Sequence, residues 1–147
     1  MRQNQKAIIL DANILVRAVL GTKVAHLLTL YRNIGFFSPD VCFEDAKKYI
    51  PSILQKRSDP TRRAIEMLDR LPDLITCIPI EQYQTHREEA KHRIRSRDLA
   101  DWPVIAAALT LNSPIWTEDQ DFFGVGIATW TTDRVHLFFQ DESRNNL

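Results

Sequence analysis

The hydrophobic positions of this chain fall into short apolar runs that alternate with helical stripes. The run "AIIL" at 7–10 is apolar throughout and is followed at once by a polar residue, which is typical of a short buried strand. The next segment, "ANILVRAVL" at 12–20, has its apolar positions spaced as one face of a helix, and the spacing stops at Gly21. The N-terminal pattern therefore predicts a strand that leads directly into a helix.

The same alternation continues along the rest of the chain. Further runs rich in apolar and β-branched residues predict strands at 35–38, 73–80, 113–117 and 127–131. Helical spacing predicts helices at 24–33, 41–57, 60–71, 81–95 and 101–112, while 133–140 fits either a strand or a helix. Because strands separated by helices indicate right-handed βαβ units, we predict an α/β fold, a three-layer α/β/α sandwich with a central, mostly parallel sheet.

Three proline-containing positions refine the predicted helix boundaries. The sequence Ser-Pro-Asp at 38–40 is suited to start a helix through side-chain capping. Pro51 falls inside the predicted helix 41–57 and is expected to break or kink it. Pro103 is compatible with a helix only because it lies in the first turn.

Composition indicates an ordinary globular protein. With 147 residues, of which 44% are hydrophobic and 26% charged, the chain fits a single domain over 1–147 with a substantial core. The run "AIIL" is too short for a membrane-spanning helix or a signal sequence. Cys42 and Cys77 are able to pair but do not form a disulfide framework. We therefore expect a cytoplasmic protein without a membrane segment.

The formal net charge is zero, which argues against bulk electrostatic binding of nucleic acid but allows a local patch. The segment "HREEAKHRIRSR" at 86–97 is such a patch, and its arginines Arg93, Arg95 and Arg97 are candidates for steering an RNA backbone. The alternative is a solvated helix face with ion pairs such as Glu89–Arg93. The patch ends directly before Asp98, and this position favours a functional role.

Several acidic residues follow or precede predicted buried elements. Asp11 follows the first strand and Asp119 follows the fourth, so both are expected at the carboxyl edge of the sheet, where ligands bind in such folds. Asp101 occupies the expected N-cap of the helix at 101–112, and Asp98 lies three residues earlier. Glu44 lies on a different predicted helix.

Each of these residues also has a purely structural interpretation. A strand-end Asp is commonly a turn residue, an Asp before a helix is commonly a simple cap, and a Glu on a helix is commonly a surface charge. Taken as a ligand set, however, oxygen donors without a Cys/His quartet suit Mg²⁺ or Mn²⁺ rather than Zn²⁺. Such ions activate water and stabilise the leaving oxygen in attack on a phosphodiester.

Three segments resemble PIN domains. "IILDANILV" is similar to the opening of that family, and "SPDVCFEDAKKYI" is similar to the helix that carries its glutamate. "DLADWPVIAAALTLNSPIWTEDQDFFG" resembles its C-terminal half, in which an Asp opens an Ala-rich helix and a strand ends in Thr-x-Asp, and "GIATWTTDRV" continues the match. The resemblance covers most of the chain, and its C-terminal block is the most specific part.

The resemblance implies a metal-dependent ribonuclease of the kind found as the toxin of bacterial toxin–antitoxin pairs. It would carry a Mg²⁺ or Mn²⁺ site, act on RNA, form a homodimer and be held inactive by a small antitoxin that covers the acidic cleft. Residue by residue, the resemblance assigns the catalytic metal ligands to Asp11, Glu44, Asp101 and Asp119, possible outer ligands to Asp98 and Asp121, and orienting polar supports to Asn13 and Thr117.

Two positions leave alternatives open. Asp45 competes with Glu44, because the middle of the chain matches the family only by spacing and helix context. Glu118 stands where the family often has Asn, and its charge either faces solvent or increases the demand for a cation.

Two other function classes compete with the nuclease. One is a catalytically silent PIN-like module that binds RNA or protein, since a fold does not fix a function. The complete acidic set weighs against it. The other is a flavodoxin-like small-molecule or signalling domain, which is disfavoured because the chain has four glycines and no GxGxxG motif.

Overall fold

The computed structural model describes residues 5–56 and 62–140, and these residues form one five-stranded sheet. The strands are β1 Ala7–Leu10, β2 Gly35–Pro39, β3 Thr76–Ile78, β4 Ile115–Trp116 and β5 Thr129–Trp130. Their order across the sheet is β3-β2-β1-β4-β5, and every neighbouring pair is parallel. The predicted parallel α/β architecture is confirmed.

The strand order reverses at β1, which has β2 on one side and β4 on the other. Ile9 is in register with Phe37 of β2, and Leu10 is in register with Trp116 of β4. The residues that follow β1 and β4 are consequently neighbours at the same edge of the sheet. In open α/β sheets, a ligand crevice forms at the carboxyl ends of the strands where the order reverses.

Helices cover both faces of the sheet. They are α1 Ala12–Leu20, α2 Lys23–Leu30, α3 Asp40–Lys56, α4 Arg62–Leu74, α5 Ile80–Tyr83, α6 Arg87–Ile94, α7 Trp102–Leu111 and α8 Val135–Gln140. α1 packs against α2, α3 and α4, whereas α7 packs against α5, α6 and the strands β1 and β2. The three predicted layers are therefore present.

The core is built from the continuous apolar strands and from α7. Residues Ile8, Ile9 and Leu10 of β1 are completely buried, as expected for a parallel strand covered on both faces. α7 is buried along most of its length, and its run of three alanines at 106–108 lets the helix lie close to the sheet. Phe139 of α8 packs its ring against Phe36, with centroids 5.6 Å apart.

The structure decides three local predictions, which concern 133–140, Pro51 and 81–95. The segment 133–140, which fits either a strand or a helix by pattern, contains the helix α8. The expected break at Pro51 does not occur, because α3 continues to Lys56. Pro51 lies on the exposed side of α3, where water can satisfy the carbonyl that loses its helical partner. The single polar helix predicted at 81–95 is divided into α5, a 3-10 turn and α6.

Across 5–56 and 62–140, none of the individual helices combines the length and apolar character needed to cross a membrane. α1 and α2 satisfy the criterion only as a pair, and they meet at an angle of 98°.

Candidate active site

Asp11 lies directly after β1, at the N-cap of α1. Its Oδ1 accepts a hydrogen bond of 3.0 Å from the backbone N–H of Ile14, and its Oδ2 accepts one from the hydroxyl of Thr117. Only 5% of Asp11 is exposed. The pKa of Asp11 is raised to about 6, mainly by burial and in smaller part by the charges of Asp119 and Glu118, although both hydrogen bonds act to lower it.

Thr117 connects two of the predicted ligands. It is fully buried after β4, and its hydroxyl donates to Asp11 while accepting a 2.9 Å hydrogen bond from the backbone N–H of Asp119. One hydroxyl thereby fixes the carboxylate that follows β1 and the backbone that follows β4. Because both bonds are inside the protein, the relative position of these acids is set before any ligand arrives.

Asp101, Asp119 and Asp121 bring their carboxylates together. One oxygen from each lies within 4.8 Å of the other two. Asp119 also accepts a 2.9 Å hydrogen bond from the backbone N–H of Asp121, which caps the 3-10 turn Gln120–Phe122. Burial raises the pKa of Asp101 to about 7, and the negative charges of Asp98, Asp119 and other acids nearby contribute. A cation among these groups would offset their mutual repulsion.

Asp101 occupies the predicted N-cap position but does not cap the helix. Among the described residues its side chain makes no capping hydrogen bond to α7. The capping carboxylate of this segment is instead Asp98, which accepts a 3.0 Å hydrogen bond from the backbone N–H of Ala100 at the start of the 3-10 turn Leu99–Asp101. The preceding turn therefore leaves the carboxylate of Asp101 directed to the other acids.

A cavity of about 420 Å³ opens at this edge of the sheet, between α1, α3 and the N-terminus of α7. Asn13, which is exposed, lies on its wall at the start of α1. Four acidic residues line the cavity, one from each of four chain segments: Asp11, Asp45, Asp101 and Asp119. The structure thus joins acids that are distant in the sequence.

Glu44 is not one of the residues that line the cavity. The residues of α3 on the wall include Val41, Asp45, Tyr49 and Ile53, which are four apart and so lie on one stripe of the helix. Glu44 precedes Asp45 by one residue, about 100° around the helix, and is exposed. Of these two competing residues, the structure places Asp45 on the wall of the cavity and Glu44 off it, and the ligand role of either residue stays a prediction.

The electrostatic surroundings of the two cysteines show the same difference. Burial raises the pKa of Cys42, a buried thiol on the cavity wall, and the charge of Asp45 contributes to the rise. Glu44 instead acts on the exposed Cys77 of β3, whose pKa is raised mainly by burial. Asp45 therefore acts on a thiol of the cavity wall, whereas Glu44 acts on a thiol outside it.

Glu118 has a structural partner. Its carboxylate accepts a 2.7 Å hydrogen bond from the backbone N–H of Thr132, which follows β5. This bond ties the turn after β4 to the end of the neighbouring strand. The extra charge at this position thus stabilises the edge of the sheet that carries the site.

Two of the three candidate RNA-binding arginines hold the loop after Asp119. Arg97 donates a 3.0 Å hydrogen bond to the backbone carbonyl of Asp121, and Arg93 donates one of 3.0 Å to that of Val125. Arg93 also forms the expected ion pair with Glu89, at 2.9 Å. Sequence reasoning missed this role, because the arginines and the carbonyls that they bind are more than twenty residues apart in the chain.

The third candidate arginine is Arg95, and a glycine lies in the loop that Arg93 binds. Arg95 is exposed, with its Nη1 3.3 Å from Nδ1 of His92. Gly126 has a φ of +85°, and a Cβ there would lie 2.5 Å from Nη1 of Arg93. The positive φ therefore favours glycine at this position, and a Cβ would in addition displace the guanidinium of Arg93.

The residues at the carboxyl edge fit a hard divalent cation. Asp101, Asp119 and Asp121 present oxygen donors at a separation that one ion can span, and Mg²⁺ and Mn²⁺ prefer oxygen ligands. The raised pKa values of Asp11 and Asp101 show that crowding and burial disfavour additional negative charge. A bound cation would remove that penalty.

Comparisons with known proteins identify the family and the fold of this chain. The family model described as PIN domain matches residues 9–140. The sequence matches none of the curated proteins with which it was compared. Among solved structures, the chain is similar to VapBC2 from Rickettsia felis bound to a DNA fragment from their promoter, with 13% identity and a TM-score of 0.65 over 85% of this chain and 98% of that chain.

Two further solved structures have the same fold. FitAcB from Neisseria gonorrhoeae shows 15% identity and a TM-score of 0.58, over 85% of this chain and 97% of that chain. FitAB bound to IR36 DNA fragment shows 13% identity and a TM-score of 0.57, over 85% and 94% of the respective chains.

Proposed function

The chain belongs to the PIN domain family, and we propose that it is a metal-dependent endoribonuclease that hydrolyses phosphodiester bonds of RNA. The observation that supports this proposal is the convergence of Asp101, Asp119 and Asp121. The first two of these acids line one cavity together with Asp11 and Asp45. This cavity lies where the strand order of the sheet reverses.

In this proposal Asp101, Asp119 and Asp121 hold Mg²⁺ or Mn²⁺, and Asp11 and Asp45 complete the negative surface. When bound, the cation supplies an activated water and offsets charge on the phosphate. Thr117 keeps Asp11 and Asp119 in a fixed relation, so the protein need not reorganise to accept the ion. The burial of Asp11 lowers the local dielectric and strengthens its attraction to the cation.

The test is cleavage of a labelled single-stranded RNA by the variants Asp101→Asn and Asp119→Asn. Each substitution keeps the side-chain shape but removes a charge, and each is expected to lower cleavage by about 100-fold or more. Asp69→Asn is the matched control, because Asp69 is exposed on α4 and is not among the cavity-lining residues. It should cleave like the wild type, and EDTA should abolish cleavage by both.

Full activity in either cavity variant, with the fold verified by circular dichroism, would contradict the proposal. RNA binding without cleavage by the wild type, at millimolar Mg²⁺ and Mn²⁺, would favour the silent module instead. Calorimetric titration with Mn²⁺ adds an independent measurement, since the nuclease requires a cation site that Asp101→Asn weakens.

We also propose that the chain acts as the toxin of a toxin–antitoxin pair and forms a homodimer. The support is its fold, which it shares with VapBC2 and FitAcB. Expression of the chain should arrest growth, Asp101→Asn should be harmless, and a small protein encoded next to the gene should relieve the arrest. Light scattering of the purified protein tests the dimer.

A further inference from the structure

Part of the lining of the acidic cavity is apolar. It includes Val16 of α1 and Tyr49 and Ile53 of α3, and we refer to these three residues as the apolar wall. Tyr49 is 52% exposed, although it carries a large aromatic ring. The same cavity is therefore lined both by carboxylates and by an accessible aromatic ring.

The apolar wall and the acids are in register along α3. Tyr49 lies about one helical turn after Asp45, and Ile53 lies one turn further, so each step of four residues is about 6 Å along the helix axis. A ligand group beside Asp45 would therefore have the ring of Tyr49 one turn away. In single-stranded nucleic acid, each backbone phosphate is accompanied by an aromatic base that can stack on such a ring.

Positive charge adjoins the ring of Tyr49. The ammonium of Lys48 lies 5.8 Å from the ring centroid, and Lys47 is also exposed on α3. Neither lysine is in an ion pair among the residues that the structure describes. A cation beside an accessible aromatic ring suits the binding of single-stranded nucleic acid, in which phosphates alternate with aromatic bases.

From this juxtaposition we infer that the apolar wall is a base-binding subsite, in which the ring of Tyr49 stacks on a nucleobase of single-stranded RNA next to the phosphate that a cation bound by the carboxylates would hold. The inference rests on the proposed function and deepens it. Stacking is tolerant of base identity because every base has an aromatic face, so this subsite positions the strand without demanding one sequence.

The test uses a short labelled RNA and three variants. Tyr49→Ala should raise KM about tenfold with kcat changed less than twofold, because the ring binds the strand and does not touch the reacting bond. Tyr49→Phe keeps the ring and should behave like the wild type. Ile65→Ala is the matched control, since it removes an exposed apolar side chain on α4 that is not part of the cavity wall.

An abasic scan identifies the partner of the ring. Replacing one nucleotide at a time by an abasic residue should reveal one position at which the wild type also loses about tenfold in KM. At that position the abasic substrate should cause no further loss in Tyr49→Ala, because the stacked pair is already broken. Losses that multiply, or an unchanged KM in Tyr49→Ala, would overturn the inference.

Anisotropy of a labelled, cleavage-resistant RNA separates this inference from the proposed function. If the wild type does not cleave but Tyr49→Ala still binds about tenfold more weakly, the subsite stands and the nuclease proposal fails. If the wild type cleaves and Tyr49→Ala binds and cleaves normally, the nuclease stands and the subsite fails. The subsite is also overturned if Tyr49→Ala weakens the binding of a partner protein and leaves the binding of RNA unchanged.

Discussion

Replacing Asp11 by Asn is expected to stabilise the protein at neutral pH when divalent cations are absent. Asp11 is buried, and its pKa is raised from 3.8 to about 6, with burial as the main cause. Ionisation of Asp11 is therefore less favourable in the folded protein than in the unfolded chain. Asn resembles the neutral form and removes the penalty that the wild type carries once Asp11 is ionised.

The magnitude follows from the change in pKa. Each tenfold change in an acid dissociation constant corresponds to about 1.4 kcal/mol, so a pKa raised from 3.8 to about 6 corresponds to roughly 3 kcal/mol. In the variant the hydroxyl of Thr117 must rearrange its hydrogen bond, which costs about 1 kcal/mol. The net gain in the free energy of unfolding at pH 8 is then about 2 kcal/mol.

The pH dependence has a definite sign. Between about pH 4 and pH 6 the folded protein binds more protons at Asp11 than the unfolded chain, so the stability of the wild type falls as pH rises through this range. Asn does not titrate and lacks this loss. The advantage of the variant should therefore be largest above pH 7 and should vanish near pH 4.

Urea unfolding in EDTA, followed by circular dichroism at several pH values, measures this difference. Asp69→Asn serves as the control, because an exposed substitution should change stability by less than about 0.5 kcal/mol at every pH. Adding Mn²⁺ should reduce the advantage of the variant, since a ligand that binds only the folded state stabilises it and the wild type is expected to bind the cation more tightly. Equal stability of wild type and Asp11→Asn at pH 8 would refute the reasoning.

Three further predictions concern the supports of the site. Thr117→Val should lower stability by about 2 kcal/mol and cleavage by 10- to 100-fold, because the hydroxyl that joins two acids is lost; urea unfolding and RNA cleavage measure both. Asp45→Asn should weaken Mn²⁺ binding in calorimetry about tenfold, whereas Glu44→Gln should not, because Glu44 is not on the cavity wall. Gly126→Ala should cost about 1–3 kcal/mol in thermal unfolding, because φ is +85° and Arg93 must leave its carbonyl.

A specific result would contradict each of these three predictions. Thr117→Ser keeps the hydroxyl and should retain most activity, so a loss as large as that of the Val variant would contradict the bridging role. A weaker Mn²⁺ affinity in Glu44→Gln than in Asp45→Asn would indicate that Glu44, as predicted from the sequence, is the ligand. Wild-type stability of Gly126→Ala would show that the loop does not need its backbone conformation.

The sequence was sufficient to predict the parts of the fold that rest on local pattern. The apolar run at β1 and the helical stripe of α1 were predicted at their observed positions, since short continuous runs and one-faced helices have distinct periods. The convergence of Asp11 and Asp119 followed from the expectation that parallel strands end at one edge. That β1 and β4 are direct neighbours was visible only in the structure.

Other features could not be predicted because they depend on long-range contacts or on helix phase. The apolar stripe of α3 defines the face that meets the core, but Glu44 and Asp45 both lie outside this stripe and are exposed, so the hydrophobic pattern could not separate them. The bonds from Arg93 and Arg97 to the loop after Asp119 join elements far apart in the chain. The choice between strand and helix at α8 depended on how Phe139 packs.

The order in which the acids occur along the chain has a consequence for protein synthesis. Asp11 and Asp45 leave the ribosome early, but the cluster at 101–121 belongs to the last third of the chain. Under the proposed function, a nascent chain would hold no cutting centre until residue 121 has left the ribosome. The messenger that encodes the enzyme would thereby be spared by its own unfinished product.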